Sequence, residues 1–230
     1  MVKFGVGQLA RRVEDVRLVS GKGRFTDDIS LPGQLYAVMV RSPHAHARIA
    51  GIDTEDAKAA PGVVAVYTGK DAEAAGLGTV YSPAADMLKN PDGTPIFKTT
   101  RWLIARDRVR HVGDLVAMVV AETPAQARDA ADLVTVDYED LPAIADTAGA
   151  LAPDAPVIWE ENGSNLAYDW SIGEAEPVEA AMKAAHHVTR VKLINNRIVV
   201  AAMEPRAALG SYEAARDHYT LYVCSQGVHG

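Results

Sequence analysis

An acid, a proline and a base stand in a row inside the apolar run "VVAAMEPRAAL" of residues 199–209: Glu204, Pro205 and Arg206. Residues two apart in a strand point to the same face, so the carboxylate and the guanidinium would lie side by side. Proline offers no backbone N–H to a neighbouring strand. The pattern predicts an internal ion pair or a polar rim around a ligand, and an exposed edge strand is the plainer alternative.

Two further polar stretches interrupt segments that are typical of strands, "NNR" at 195–197 and "CSQGVH" at 224–229. The second begins with Cys224, the single cysteine of the chain. We expect Cys224 to be buried on an apolar strand and inert rather than nucleophilic. One cysteine also excludes an internal disulfide and an iron–sulfur cluster held by this chain alone.

Three other motifs support plainer interpretations. His44 and His46 could begin a zinc site, but no third ligand has a typical spacing, so histidines hydrogen-bonded beside a turn are favoured. Gly5 and Gly7 in "GVGQLA" resemble a dinucleotide-binding turn without the strand and helix it requires, which favours a flexible arm. The charged runs "RDRVR" and "EDLPAI" are interpreted as solvated faces.

The sequence of the first 150 residues predicts an extended arm of about thirty residues, with turns at 20–28. Alternating strands and helices are predicted after it. "LVAMVVAET" at 115–123 is the strongest strand signal, and Pro124 then opens an alanine-rich helix. Thr54 precedes a short helix that Pro61 and Gly62 end, and the apolar run after them predicts a buried strand. The remaining strands are predicted over 33–42, 46–53 and 135–144.

The second part of the chain follows a boundary predicted at 148–165, which is rich in alanine, proline, glycine and asparagine. Residues 174–187 predict an amphipathic helix, and 188–226 predict three or four antiparallel strands. The connection over 76–101 shows no clear period, and a connection of that length often lies on a functional surface.

Composition limits the class of protein. With 230 residues, 48% hydrophobic and 23% charged, the chain has the make-up of a folded protein. A net charge of -7 with interleaved signs argues against nucleic acid and anionic membrane surfaces as partners. No apolar run approaches the roughly 20 residues of a membrane span, and the first residues lack the apolar core of a signal peptide. We therefore expect a cytoplasmic protein.

The order of six blocks resembles the start of one protein family, the molybdenum-binding large subunits of xanthine dehydrogenase, aldehyde oxidase and carbon monoxide dehydrogenase. The blocks are "RVEDVRLVSGKGRFTDDI", "VRSPHAHARI", "PGVVAVYTGKD", "RVRHVGDLVAMVVAET", "ARDAADLVTVDYEDLPAI" and "NNRIVVAAMEPRAAL". The resemblance implies an α+β fold: an arm over 1–14, an α/β hammerhead domain over 15–150, and over 151–230 the beginning of a molybdenum-cofactor-binding domain.

What the resemblance implies chemically is hydroxylation of an aldehyde or an N-heteroaromatic carbon, or oxidation of carbon monoxide, with water as the oxygen source. The molybdenum-pterin cofactor would carry the reaction. Electrons would leave through [2Fe-2S] clusters on a small subunit to FAD on a medium subunit.

The resemblance also assigns residues. Asn196 stands where the family commonly has a glutamine that reaches an oxo ligand of the molybdenum, and asparagine is about 1.5 Å shorter. Arg197 and Gln226 would lie near the cofactor, with Val228 in place of a family proline. Glu204 and Arg206 would supply charges behind the residues that contact the cofactor.

No catalytic residue and no metal ligand is assigned within the 230 residues. The pterin loops and the glutamate base belong to later parts of family large subunits, so we expect no activity from this chain alone. It would act with the remainder of the large subunit and the two redox subunits. The alternative hypothesis is a non-catalytic interaction module, or a truncated fragment, that retains the hammerhead fold.

Overall fold

The computed structural model describes residues 11–80, 84–196, 198, 201–202 and 204–225, with the backbone only at 84 and 85. Contacts divide the chain into two compact units, Gln34–Thr189 and the combination of Met1–Gly33 with Arg190–Gly230. The helices are α1 (Asp15–Val19), α2 (Glu55–Ala59), α3 (Gly69–Ala74), α4 (Ala84–Met87), α5 (Pro124–Ala131) and α6 (Ala175–Ala184). The strands are β1 (Tyr36–Arg41), β2 (Ala47–Asp53), β3 (Val63–Thr68), β4 (Arg108–Val109), β5 (Leu115–Ala121), β6 (Thr135–Asp140), β7 (Ala208–Glu213) and β8 (His218–Val223).

The unit Gln34–Thr189 contains two antiparallel sheets, ordered β1–β5–β3 and β4–β2–β6. In the first sheet Val119 of β5 pairs with Val38 on one side and Val66 on the other. Strand β5 is central because its apolar residues are buried on both faces, as a run without polar alternation predicts. The strand predictions for β1, β2, β5 and β6 are confirmed.

Strand β5 contributes to two core clusters, one on each face of its sheet. Val116 packs with Ala47 and Val109 of the second sheet, together with Ala105. Val119, three residues further and therefore on the opposite face, packs with Ala57, Val66 and Ala130. The β4–β2–β6 sheet thus covers one face of the β1–β5–β3 sheet, and helices α2 and α5 cover the other.

The helix ends follow the sequence signals closely. Thr123 precedes Pro124 and its Oγ1 accepts a hydrogen bond from the backbone N–H of Gln126 at 3.3 Å, so α5 is capped as well as opened by proline. Thr54 does precede α2, but its side chain makes no capping hydrogen bond. The carboxylate of Asp53 instead accepts from the N–H of Glu55 at 3.0 Å.

Strand β3 is only partly buried, although its apolar run predicts a buried strand. Val64 and Tyr67 are 56% and 44% exposed, because β3 lies at the edge of its sheet. The helix predicted over 174–187 is confirmed as α6. Its apolar pair Val178 and Met182, one turn apart, is exposed. Among the described residues, no helix combines the length and the apolar character needed to cross a membrane.

The other unit contains α1, a 3₁₀ turn at Thr26–Asp28 and the β7–β8 hairpin. The arm predicted for the first thirty residues is therefore partly helical. The prediction of three or four strands over 188–226 is wrong for the residues described, which form β7 and β8 there. Between 188 and 206 apolar side chains such as Leu193 and Ile194 are exposed, and a strand needs a neighbour to pair with its backbone groups.

Candidate functional site

In the sequence, the residues predicted to lie near a cofactor stand on either side of the β7–β8 hairpin. Asn196, Glu204 and Arg206 are all exposed and precede β7. Arg197 and Gln226, together with Met203, lie outside the residues that the structure describes. Three of the five predicted residues can therefore be placed.

Glu204 and Arg206 do not lie in a strand, and no ion pair joins these two described residues. The prediction of an internal ion pair is therefore wrong here. Both side chains are in contact with water, where the attraction between two charges barely offsets the entropy lost on holding them together. Pro205 between them cannot donate to a sheet. The two charges are not paired with each other and could serve other groups.

Cys224 connects the two polar stretches that the sequence singled out. It follows β8 directly, rather than lying within a strand, and it is half-buried. Its Sγ lies 3.9 Å from the carbonyl oxygens of both Pro205 and Ala207. The next pair along the chain, Ala208 and Val223, is the first of the hairpin register. Pro205 and Cys224 are thus neighbours at the open end of the hairpin.

No hydrogen bond or ion pair between described residues joins Asn196 to that hairpin end. The amide of Asn196 and the guanidinium of Arg206 can both donate hydrogen bonds to anionic oxygen atoms. Among the described residues, no three histidine, cysteine, aspartate or glutamate side chains are grouped so that they could hold a metal ion.

The two histidines of "SPHAHARI" lie beside the end of β6. The Nδ1 atom of His44 lies 2.6 Å from Oδ1 of Asp140, and its ring lies 4.4 Å from that of Tyr138. His46 is buried, with Nδ1 2.8 Å from the carbonyl oxygen of Pro142. The favoured prediction, histidines hydrogen-bonded beside a turn, is confirmed.

The "RDRVR" run is not the solvated face that its charge indicates. Arg108 is 8% exposed, and its Nη1 lies 3.1 Å from Oε1 of Glu160. Arg110 donates from Nε to the carbonyl oxygen of Ile158 at 3.3 Å, and its guanidinium lies 5.4 Å from the centre of the Trp159 ring. The available signal was the spacing of two, which places Arg108 and Arg110 on one face of a strand.

Arg106, at the start of the same run, has separate partners. Its Nη1 lies 2.8 Å from Oε1 of Glu73, and its guanidinium stacks 3.4 Å above the ring of Trp102. A guanidinium over an indole is held by the negative face of the ring as well as by the carboxylate. All three arginines are therefore engaged, and each ties β4 or the chain directly beside it to another residue.

The contacts of Arg108 change the pKa of the Glu160 carboxyl. The hydrogen bond from Arg108, followed by the charge of Arg108, lowers the pKa of the Glu160 carboxyl below its ordinary value. The charges of Arg48 and His46 act in the same direction. Because the carboxylate faces several basic groups, its charged form is favoured.

Two family matches cover most of the chain. Residues 20–142 match the aldehyde oxidase and xanthine dehydrogenase a/b hammerhead domain, which is more than half of the sequence. Residues 158–230 match the molybdopterin cofactor-binding domain. The predicted α+β class, a hammerhead domain followed by the beginning of a cofactor-binding domain, is confirmed.

Individual relatives agree with these matches. The carbon monoxide dehydrogenase large chain of Afipia carboxidovorans is 35% identical over 98% of this chain and 28% of its own length. The nicotine 6-hydroxylase large subunit of Paenarthrobacter nicotinovorans is 36% identical over 97% of this chain and 26% of its own length. The solved structure of quinoline 2-oxidoreductase from Pseudomonas putida 86 has a TM-score of 0.81 at 34% identity, covering 96% of this chain and 27% of that one.

The chain thus spans about a quarter of the length of these relatives. Agreement extends over nearly all of its residues, in sequence and in fold alike. The chain belongs to the aldehyde oxidase and xanthine dehydrogenase family.

Proposed function

We propose that this chain serves as part of the large subunit of a molybdenum hydroxylase, an enzyme that oxidises an aldehyde, an N-heteroaromatic compound or carbon monoxide with water as the oxygen source. The match to a molybdopterin cofactor-binding domain supports the cofactor. The names of the relatives, a carbon monoxide dehydrogenase large chain and a nicotine 6-hydroxylase large subunit, support the reaction class.

The residues proposed to hold the cofactor are Asn196, Arg197 and Gln226, through donated hydrogen bonds. When bound, the molybdenum-pterin group would supply the redox chemistry and the oxygen-bearing metal. Glu204 and Arg206 would act from behind these residues, as two separate charges of opposite sign. The observation that carries this proposal is the contact of Cys224 with the backbone of Pro205 and Ala207, which joins the described parts of the two polar stretches.

The proposed partners are the remainder of the large subunit, an iron–sulfur subunit with [2Fe-2S] clusters and a subunit that binds FAD. A cluster of that kind takes four cysteine ligands, and these 230 residues contain one cysteine, so the proposed clusters would lie outside them. The domain bounds 1–14, 15–150 and 151–230, and the cytoplasmic location, stay predictions.

The first test is isolation of the natural complex through a tag on this chain, followed by intact-mass and metal analysis. We expect molybdenum, iron and FAD together with additional polypeptides. A lone chain of 24.5 kDa without metal would reject the proposal and favour the non-catalytic interaction module.

A second test addresses Asn196 within that complex. Asn196→Ala removes the amide and should lower the turnover rate by on the order of 10²-fold, since misplacement of about 1 Å near the reacting atoms has an effect of that size. Asn196→Gln restores the family residue and should keep or raise the rate. Asn195→Ala, the neighbouring asparagine, is the matched control and should stay within about twofold of wild type. Equal rates for Asn196→Ala and Asn195→Ala would refute the role of Asn196.

A further inference from the structure

We infer that Arg108 and Arg110 are positioning residues, which fasten residues 158–160 to the β4–β2–β6 sheet at the point where the match to the cofactor-binding domain begins. The fastening itself rests on contacts within the unit Gln34–Thr189. Its consequence for cofactor retention rests on the proposed function.

The alternation Arg108, Val109, Arg110 sets the geometry. Val109 is fully buried in the core cluster with Ala47 and Val116, so the two arginines on either side of it point away from that core. Arg108 is nevertheless 8% exposed. A guanidinium on the outward face of a two-residue strand is buried only when another segment covers it, and Glu160 is its ion-pair partner.

Three consecutive residues of the covering segment are held in three different ways. The backbone carbonyl of Ile158 accepts from Arg110, the ring of Trp159 lies beside the same guanidinium, and the carboxylate of Glu160 pairs with Arg108. The indole Nε1 of Trp159 also donates to the carbonyl oxygen of Thr100 at 3.5 Å. Contacts to main chain, ring and carboxylate together fix both the position and the orientation of the segment.

Charge favours this placement. Arg108 favours the charged form of the Glu160 carboxyl through its hydrogen bond and its charge, and the charges of Arg48 and His46 act in the same direction. Glu139 of β6 lies opposite Arg48 in the register of that sheet. The positive charges near residue 160 favour a carboxylate there, so an uncharged side chain would interact more weakly with Arg108.

The residues that follow are also folded onto this unit. Asn165 accepts from the N–H of Ile158 at 2.9 Å and donates to the carbonyl oxygens of Ala150 and Pro156 at 3.0 and 2.9 Å. Further on, Phe97 donates from its backbone N–H to the carbonyl oxygen of Ala167 at 2.8 Å. Residues of the hammerhead match (20–142) therefore hold the beginning of the cofactor-binding match, and β4 carries one of the arginines that fasten it.

The test uses the complete natural complex carrying Arg108→Gln, Glu160→Gln, or both, with Glu55→Gln as the control. Glu55 forms an exposed ion pair with Lys58 at 3.1 Å in the same unit, and its loss should change nothing. Each single variant should be cleaved by a protease within residues 148–165 about tenfold faster than wild type, because cleavage follows the population of the opened segment. The double variant should be cleaved no faster than the single variants, since both remove the same interaction.

Molybdenum content per large subunit is the second readout. We expect it to fall in Arg108→Gln and in Glu160→Gln. In Arg108→Lys, which keeps the positive charge opposite Glu160, it should stay near the wild-type value. Wild-type cleavage rates in Glu160→Gln, whose exposed side chain leaves folding intact, would overturn the inference, as would additive effects in the double variant. Absence of molybdenum from the wild-type complex would instead refute the proposed function, and the cleavage rates would still decide the fastening.

Discussion

Gly69 packs so closely against Ala105 that a Cβ atom on Gly69 would lie 2.3 Å from the Ala105 carbonyl oxygen. Gly69 begins α3 directly after β3, whereas Ala105 belongs to the core cluster with Ala47 and Val109. The requirement for glycine here is steric, because the neighbouring atoms are backbone atoms that cannot move aside as a flexible side chain can. This contact joins the β3–α3 junction to the chain that leads into β4.

Gly69→Ala should destabilise the chain by about 1–3 kcal/mol, the usual cost of forcing an extra carbon into a closely packed site. Gly78→Ala is the matched control, because a Cβ at Gly78 would meet nothing within 4 Å. Chemical denaturation of both variants measures the difference. Equal midpoints for Gly69→Ala and wild type would show that the Ala105 backbone can shift.

Val119→Ala tests the central position of β5. Val119 is fully buried between Ala57, Val66 and Ala130, so its truncation should lower the free energy of unfolding by about 1.5–3 kcal/mol. Val64→Ala on edge strand β3, where the side chain is 56% exposed, should change it by less than about 0.5 kcal/mol. A similar loss in both variants would contradict the assignment of β5 as the core strand.

The elements of the unit Gln34–Thr189 could be predicted because each had a local signal. Continuous apolar residues predicted β5, and Pro124 together with Thr123 marked the start of α5. The partners of Arg108 and Arg110 could not be predicted, since Ile158 and Glu160 are about 50 residues further along the chain and no pattern links the two stretches. Charge alone indicated solvent there, whereas tertiary contacts decided otherwise.

The sequence showed which residues of the candidate region are unusual, but neither their local structure nor their neighbours. Cys224 lies 3.9 Å from the carbonyl oxygens of Pro205 and Ala207, and no sequence pattern predicted that contact. The strand expected at 204–206 is absent from those residues, because a strand is stabilised by pairing with a neighbour and Pro205 offers no donor. Local sequence shows which residues are unusual but not which neighbours they find.

Asp71 should make the stability of the chain depend on pH. Its carboxylate accepts from the hydroxyl and the backbone N–H of Thr68, both at 2.7 Å, and the hydroxyl is the first cause of a pKa below the ordinary value. A lowered pKa in the folded state gives stability that is present above the unfolded pKa of about 4 and is lost as the pH falls through the folded value. The stability difference between wild type and Asp71→Asn should therefore shrink as the pH falls from about 6 to 2.

The control for Asp71 is Thr68→Ala, which removes the hydroxyl donor and leaves the backbone N–H. In this variant the pKa of Asp71, followed by NMR titration, should move up toward its ordinary value. An unchanged pKa would mean that the backbone hydrogen bond alone accounts for the shift, and it would contradict the role of the Thr68 hydroxyl.

Asn165 should stabilise the loop that precedes it. Its amide accepts from Ile158 and donates to both Ala150 and Pro156, so Asn165→Ala leaves three backbone groups without their partner. We expect a loss of about 1–3 kcal/mol in the free energy of unfolding. Asn165→Asp keeps the shape and the acceptor for Ile158 but directs negative charge at two carbonyl oxygens, so it should be no more stable than Asn165→Ala. If Asn165→Asp behaved as wild type, the two donated hydrogen bonds would contribute nothing, and the loop would be ordered by its other contacts.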